Sequence, residues 1–399
     1  MSPTVSEHTP RLTAVMREGE RVTPLELFFD LVFVLALTQC TALIAATPSW
    51  EGVLKGLLVL GMLWWSWGGY AWLTSVVDPE EGSVRLVMFA AMAGFLVAAL
   101  SVPQAFGHEA LLFACAYAAV RTLHIALFML AGRDDPALRS SVLGLAGSTA
   151  VGVGLLVVAA FTGGALQLGI WGTALLLDTL GPYFFGADGW KLVPGHFAER
   201  HGAIIIIALG ESIVAVGSGT RAGIDAGVVA AAVLGVVVAA ALWWAYFDVV
   251  AIVAERRLTN ASEGRERNEI ARDSYSYLHF PMIAGIVLIA VGMKRTLAGV
   301  SEPLGFVSAA AMLGGAALYL LAHVAFRLRN VHTLNRQRLA CAALLLALLP
   351  VEAAVKPSSL FTLGILGLVL SALTAYEALR FAEARDRVRH TLARGALAD

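Results

Sequence analysis

The sequence predicts an all-α, polytopic transmembrane helix bundle of about twelve spans, arranged as two parallel six-helix repeats. Three observations predict it. The composition is 58% hydrophobic and only 14% charged, with a mean hydropathy of +0.77, whereas a soluble domain is about one quarter charged. Apolar runs recur along all 399 residues, each near the roughly 20 residues that carry a helix across a hydrocarbon core of about 30 Å. Features of the first six runs then return in the same order in the last six.

Taken in order, the expected spans are 25–46, 53–77, 84–105, 109–131, 139–160, 164–187, 202–219, 226–250, 275–296, 303–326, 337–355 and 358–381. Turn formers such as Thr47-Pro48, Asp78-Pro79 and Lys356-Pro357 separate them. The chain thus divides into a cytoplasmic N-terminal segment (1–24), a first half (25–187), a cytoplasmic connection (188–201), a second half (202–381) and a cytoplasmic tail (382–399). The second half includes the charge-rich stretch 251–274, read as a solvated loop with room for a short amphipathic helix. The first apolar run exceeds a signal-peptide core and lacks a cleavage site, so removal is not expected. Of the 28 Lys and Arg, 22 fall on the side of the termini and five on the other, with Arg121 inside span 4. That bias is expected to place both termini in the cytoplasm.

The halves share local motifs. Leu63-Trp64-Trp65 has a counterpart in Leu242-Trp243-Trp244, and Phe89 to Gly94 resembles Phe280 to Gly285. Ala116-Tyr117 matches Leu318-Tyr319, which aligns Arg121 with His323. A six-helix offset preserves direction across the membrane, giving a parallel repeat of the kind found in secondary transporters.

Net charge is −1, which excludes a basic nucleic-acid surface. Cys40, Cys115 and Cys341 lie apart in apolar runs, fitting core filling and neither a disulfide framework nor a metal site. No HExxH, GxSxG or Walker A pattern occurs, so an enzyme of those classes is not expected, nor a cofactor. His196, Glu199, Arg200 and His201 form a polar group that matches no metal-ligand spacing. Trp72 suits the interfacial aromatic belt, and Trp64, Trp65 and Trp67 suit packing.

Charges inside spans are the candidate site. Glu26 and Asp30, four apart, share a helix face, where they face protein or a water-filled cavity. Glu26 equally suits a helix N-terminus, where the dipole favours an anion. Glu211 lies near the middle of span 7. Tyr117, Arg121 and His124 share one face of span 4, from which Arg121 reaches towards Asp30 by extending its stem. Asp178, Asp248, His279, His323 and Glu377 fall in cytoplasmic halves or ends, most of them read as interfacial and hydrated; His279 and His323 are further candidates for titration near neutral pH.

Four stretches carry a resemblance to a known family: Thr23 to Gln39 (TPLELFFDLVFVLALTQ), His196–Gly217 (HFAERHGAIIIIALGESIVAVG), Ala241–Asp248 (ALWWAYFD) and Tyr277–Gly292 (YLHFPMIAGIVLIAVG). Together they resemble the bacterial low temperature requirement A family. The resemblance implies an integral membrane protein linked by name to growth in the cold, and it brings no substrate. Two functions follow as expectations. One is a proton-coupled secondary transporter of an unknown small solute, using Asp30 and Glu211. The other is a membrane stress or scaffold protein, or a lipid-acting intramembrane enzyme. The bilayer is the one partner that the composition names; oligomeric state is left open.

Overall fold

A computed structural model gives the fold, and it describes residues 21–380 apart from 81, 83, 185–188 and 220–222, together with 382. The expected terminal segments fall largely outside the described residues.

Among the described residues fifteen α-helices form twelve rods. The first half holds α1 (Pro24–Ala46), α2 (Trp50–Thr74), α3 (Val84–Ser101), α4 (Ala110–Ala131), α5 (Pro136–Ala159) and α6 (Gly164–Phe184). The second holds α7 (Pro194–Gly219), α8 (Ala226–Phe247), α9 (Val250–Thr259), α10 (Arg265–Ile270), α11 (His279–Ala298), α12 (Phe306–Val331), α13 (Arg336–Ala347), α14 (Leu349–Val355) and α15 (Ser359–Arg380). The starts follow from local chemistry. Side chains of Ser49, Asp135, Asp225 and Asn335 cap α2, α5, α8 and α13 by accepting otherwise orphaned backbone N–H groups. Pro24 and Pro136 open α1 and α5, where their missing N–H is no loss.

Ten rods among the described residues are long and apolar enough to cross a membrane, with α8–α9, α10–α11 and α13–α14 each counted as one. The remaining two, α2 and α6, are 25 and 21 residues long. Tryptophans, glycines and Lys55 lower the hydropathy of α2, whose surface is turned mostly to other helices rather than to lipid.

Three boundaries differ from the sequence reading. Helix α7 starts at Pro194, so His196 to His201 lie within it rather than in a connection. The stretch 251–274 is mostly helical, because α9, α10 and a π-helical turn (Ala271–Tyr277) prolong the flanking rods, and Ala254, Leu258, Ile270 and Ala271 in it are buried. Span eleven breaks at Leu348, just ahead of Pro350, which cannot donate into a preceding turn.

The order of neighbours repeats. In the first half α1 packs on α2 and α3, α3 on α4, α4 on α5, and α2 on α6; in the second α7 packs on α8 and α11, α11 on α12, α12 on α13, and α8 on α15. Gly285 and Gly315 bring α11 and α12 together: a Cβ on either would fall 2.6 or 2.7 Å from the other's carbonyl oxygen. Gly94 admits α4 against α3 in the same way, its missing Cβ facing Val120. The tryptophan motif does not follow: Trp64 and Trp65 are buried, whereas Trp243 is 46% exposed. Of the three free cysteines only Cys40 is buried; Cys115 is exposed and fills no core.

Candidate functional site

The halves meet along α1 and α7, which run side by side in the same direction, since Glu26 meets Arg200 and Thr38 meets Glu211. Two i, i+4 pairs face each other across this seam. Glu26 and Asp30 project from α1, His196 and Arg200 from α7, and all four are fully buried. Arg200 donates Nη2 to Asp30 Oδ1 at 2.8 Å and Nη1 to Glu26 Oε1 at 3.2 Å. Its Nη1 also reaches Thr74 Oγ1 of α2 at 2.6 Å. His196 Nε2 lies 2.9 Å from Glu26 Oε1, and the indole of Trp67 donates to Asp30 Oδ1 at 2.8 Å. The rings of Phe29 and Trp67 flank the guanidinium at 5.8 and 5.7 Å.

Glu26 fulfils both roles open to it. It closes a capping box with Thr23, taking the Thr23 N–H at 2.8 Å, and it turns its other oxygen to His196 and Arg200. Asp30 has less support. Among the described residues its Oδ2 and Arg200 Nε make no hydrogen bond. Three turns along the same seam Glu211, 1% exposed, accepts from the Thr38 hydroxyl.

Arg121 does not reach Asp30. It is tied to Asp178 of α6, with Nη2 at 2.8 Å from Oδ1, and both are 1% exposed. Thr149 bridges the pair, and Tyr117 donates to Asp178 Oδ2 at 2.5 Å. Arg121 Nη1 lies 3.4 Å from His124 Nδ1. The shared face of Tyr117, Arg121 and His124 is therefore real, and its target is α6. The second half has a counterpart: Arg338 of α13 holds Glu377 of α15 through two bonds of 3.0 and 2.8 Å and lies 2.6 Å from His323 Nδ1. Each half thus has a His–Arg–carboxylate set that ties its last helix inward.

The hydrated placing of Asp178, His279 and His323 is overturned, as all three are buried. Depth along one helix says nothing about which neighbours cover it, and α5, α7, α8 and α13 cover these. His279 Nδ1 donates to Ser274 O at 2.9 Å, so its Nε2 accepts from Tyr246 at 2.8 Å. The π-helical turn presents that carbonyl and the Ser276 carbonyl that takes the Trp64 indole at 2.8 Å. His201 joins the groups, its ring 5.2 Å from both Trp67 and His279. Asp248 stays half-buried at the end of α8. Trp72 leaves the expected belt, bonding Ser276 Oγ and packing on Trp190 and Phe197.

Sequence reasoning missed Arg200, His196, Trp67 and Thr74. The signal was present: a basic i, i+4 pair opens α7 just as an acidic one opens α1.

The model of the bacterial low temperature requirement A protein family matches residues 21–375. An uncharacterized protein of Rhizobium meliloti (strain 1021) is 30% identical over 307 residues, covering 74% of each chain. No solved structure matches.

Proposed function

This chain belongs to the bacterial low temperature requirement A family, and we propose that it is a proton-coupled secondary transporter of a small solute, with the α1–α7 seam as its moving joint. The observation that carries the reading is the buried ionic cluster lying between two six-helix halves, where a change of charge acts on their relative position. Buried ionisable groups inside a membrane bundle mark ion or substrate pathways. Seams between repeats are where transporters place such groups.

The chemistry follows from the bonds. A proton arriving at the bare Oδ2 of Asp30 neutralises that carboxylate and weakens its charge-assisted bond to Arg200. Arg200 stays with Glu26 and Thr74, so one tie between the halves loosens while another holds. Glu211, bonded across the same seam to Thr38, supplies a second site of the same kind. The excess of Lys and Arg on the terminal side supports both termini in the cytoplasm and a place in the bacterial cell membrane. The lack of hydrolase and nucleotide motifs supports transport without an enzymatic step.

The test is reconstitution in liposomes containing a pH-sensitive dye. Wild-type protein should move protons when one of a set of small-solute pools is added. Asp30→Asn and Glu211→Gln, which keep size and remove ionisation, should fold and lose that response. Full proton movement by the double variant at normal incorporation contradicts the proposal and favours a fixed, non-transporting membrane protein.

A further inference from the structure

A groove of about 630 Å³ runs between α7 and the α8–α9 rod. That size falls within the range of about 300–1,000 Å³ that ligand sites occupy. Ala198, Gly202 and Ile206 of α7 form one wall, and Phe247, Ala251 and Ile252 of α8 and α9 form the other. Small residues keep the α7 wall low: a Cβ on Gly202 would sit 3.4 Å from the Phe247 ring. From Gly195 to Ile206 the groove follows α7 for about 16 Å, at roughly 1.5 Å per residue.

The charge along it is unbalanced. Among the described lining residues the acids are Glu199 and Glu255, both exposed, and the one base is Arg21. These residues together are therefore one charge negative. An anionic lipid headgroup would be repelled there, whereas a cation carried on an apolar body would meet an opposite charge and a fitting wall.

The chain enters at this place. Arg21 borders the groove, and the N–H of the next residue, Val22, donates to Glu199 Oε2 at 3.1 Å. Residues 1–20 precede that point and lie outside the described residues. Their sequence holds the run Arg11 to Arg17, RLTAVMR, with two arginines and no acid. Leu12, Val15 and Met16 give the same run three larger apolar side chains. Arg17 is four residues from Arg21, a separation of at most about 14 Å, which puts Glu199 within its reach. The seven residues extend to roughly 23 Å, enough to follow the groove from end to end. Their tether holds them at an effective concentration on the order of millimolar.

We infer that the groove is the docking site of this chain's own N-terminal segment. Arg17 sets its charge against Glu199 and Glu255, and Leu12, Val15 and Met16 supply the apolar body for the wall of Phe247 and Ile252. Charge, apolar content and the point of entry select this occupant, and none of them depends on the transport reading. Because the segment continues directly into α1, docking ties the start of the first half to α8 and α9 of the second.

The test is photo-cross-linking in the full chain, with a benzophenone amino acid in place of Met16, in detergent and in lipid vesicles. Isotope-labelled and unlabelled protein are mixed, and the joined peptides are identified by mass spectrometry. The expected product links position 16 to residues 195–206 or 246–255 of the same chain. Arg17→Glu should lower its yield about fivefold, the effect of reversing one surface pair. Adding Glu255→Arg should restore most of that loss, which a damaged fold would not allow. Links between labelled and unlabelled chains would overturn the proposal in favour of a second copy, and adducts with lipid alone would give the groove to a lipid. Products elsewhere on the chain, or none, overturn the location. A yield untouched by Arg17→Glu, or a loss that Glu255→Arg does not recover, overturns the recognition by charge.

Discussion

Arg200→Gln removes the one cation shared by both carboxylates of α1. The bonds lost differ in what they leave behind. Thr74 still donates to Tyr70 O, and Glu26 keeps His196 and the Thr23 N–H. Among the described residues Asp30 keeps only the Trp67 indole, so the damage concentrates there. Removing one side of a buried ion pair costs about 3–5 kcal/mol, and a bond to a charged group contributes about 1.5–3 kcal/mol of it. We therefore expect Arg200→Gln to lower stability by about 3–5 kcal/mol. Adding Asp30→Asn should recover part of that, with a coupling of roughly 2 kcal/mol for groups in contact. Neighbouring Glu199, exposed on the same helix, is the control, and Glu199→Gln should stay within about 0.5 kcal/mol of wild type. The assay is reversible unfolding in mixed micelles followed by tryptophan fluorescence. A loss under about 1 kcal/mol for Arg200→Gln, or no coupling with Asp30→Asn, would refute the assignment of Arg200 as the seam's shared cation.

Two further outcomes follow from the fold. Gly285→Ala forces a Cβ to within 2.6 Å of the Gly315 carbonyl oxygen, a backbone atom that cannot rotate away. It should therefore cost about 1–3 kcal/mol, and more than Gly94→Ala, whose nearest obstacle is a Val120 methyl. Equal melting temperatures for the two variants would contradict this. The Leu138 N–H, and then Lys191, hold the half-buried Asp135 carboxyl below the usual range. Its capping contribution is therefore present above the unfolded value near 3.9 and lost as pH falls through the folded one. Asp135→Ala should cost about 0.5–2 kcal/mol between pH 5 and 7, and the gap should close below about pH 4; a gap unchanged at pH 2.5 argues against the cap.

Much of the fold could be read from hydrophobic run lengths, because crossing a bilayer fixes helix length more tightly than packing in water does. The acidic pair on α1 stood out for the same reason, as charges interrupting an apolar run. Its basic partner did not. Arg200 and His196 lie where α7 begins, and hydropathy reads a charged helix end as a loop. Their burial is a property of the pair, and neither helix shows it alone. Arg121 illustrates the opposite case: its face on α4 was correct, but the helix opposite it depends on how α6 folds back. The like order of helix neighbours in the two halves, with close approaches at Gly94 and Gly285, agrees with the motifs in the sequence, whereas Trp64 is buried and Trp243 is 46% exposed. The π-helical turn left no mark in the sequence, yet it sets the carbonyls that receive Trp64 and His279.

The central claim is that the α1–α7 seam opens when its carboxylates change charge. Ser212 adjoins Glu211, is 1% exposed, and its hydroxyl makes no hydrogen bond among the described residues. Ser212→Cys therefore reports on the seam with little disturbance, in a background with Cys40, Cys115 and Cys341 replaced. Labelling with a membrane-impermeant maleimide is followed in right-side-out and inverted vesicles as the pH on one side is lowered. The account predicts a labelling rate that differs between the two faces, shifts with the imposed pH gradient, and stops shifting in Asp30→Asn. Slow labelling, equal from both faces at every pH and unchanged by Asp30→Asn, would show a seam that stays shut and would contradict it.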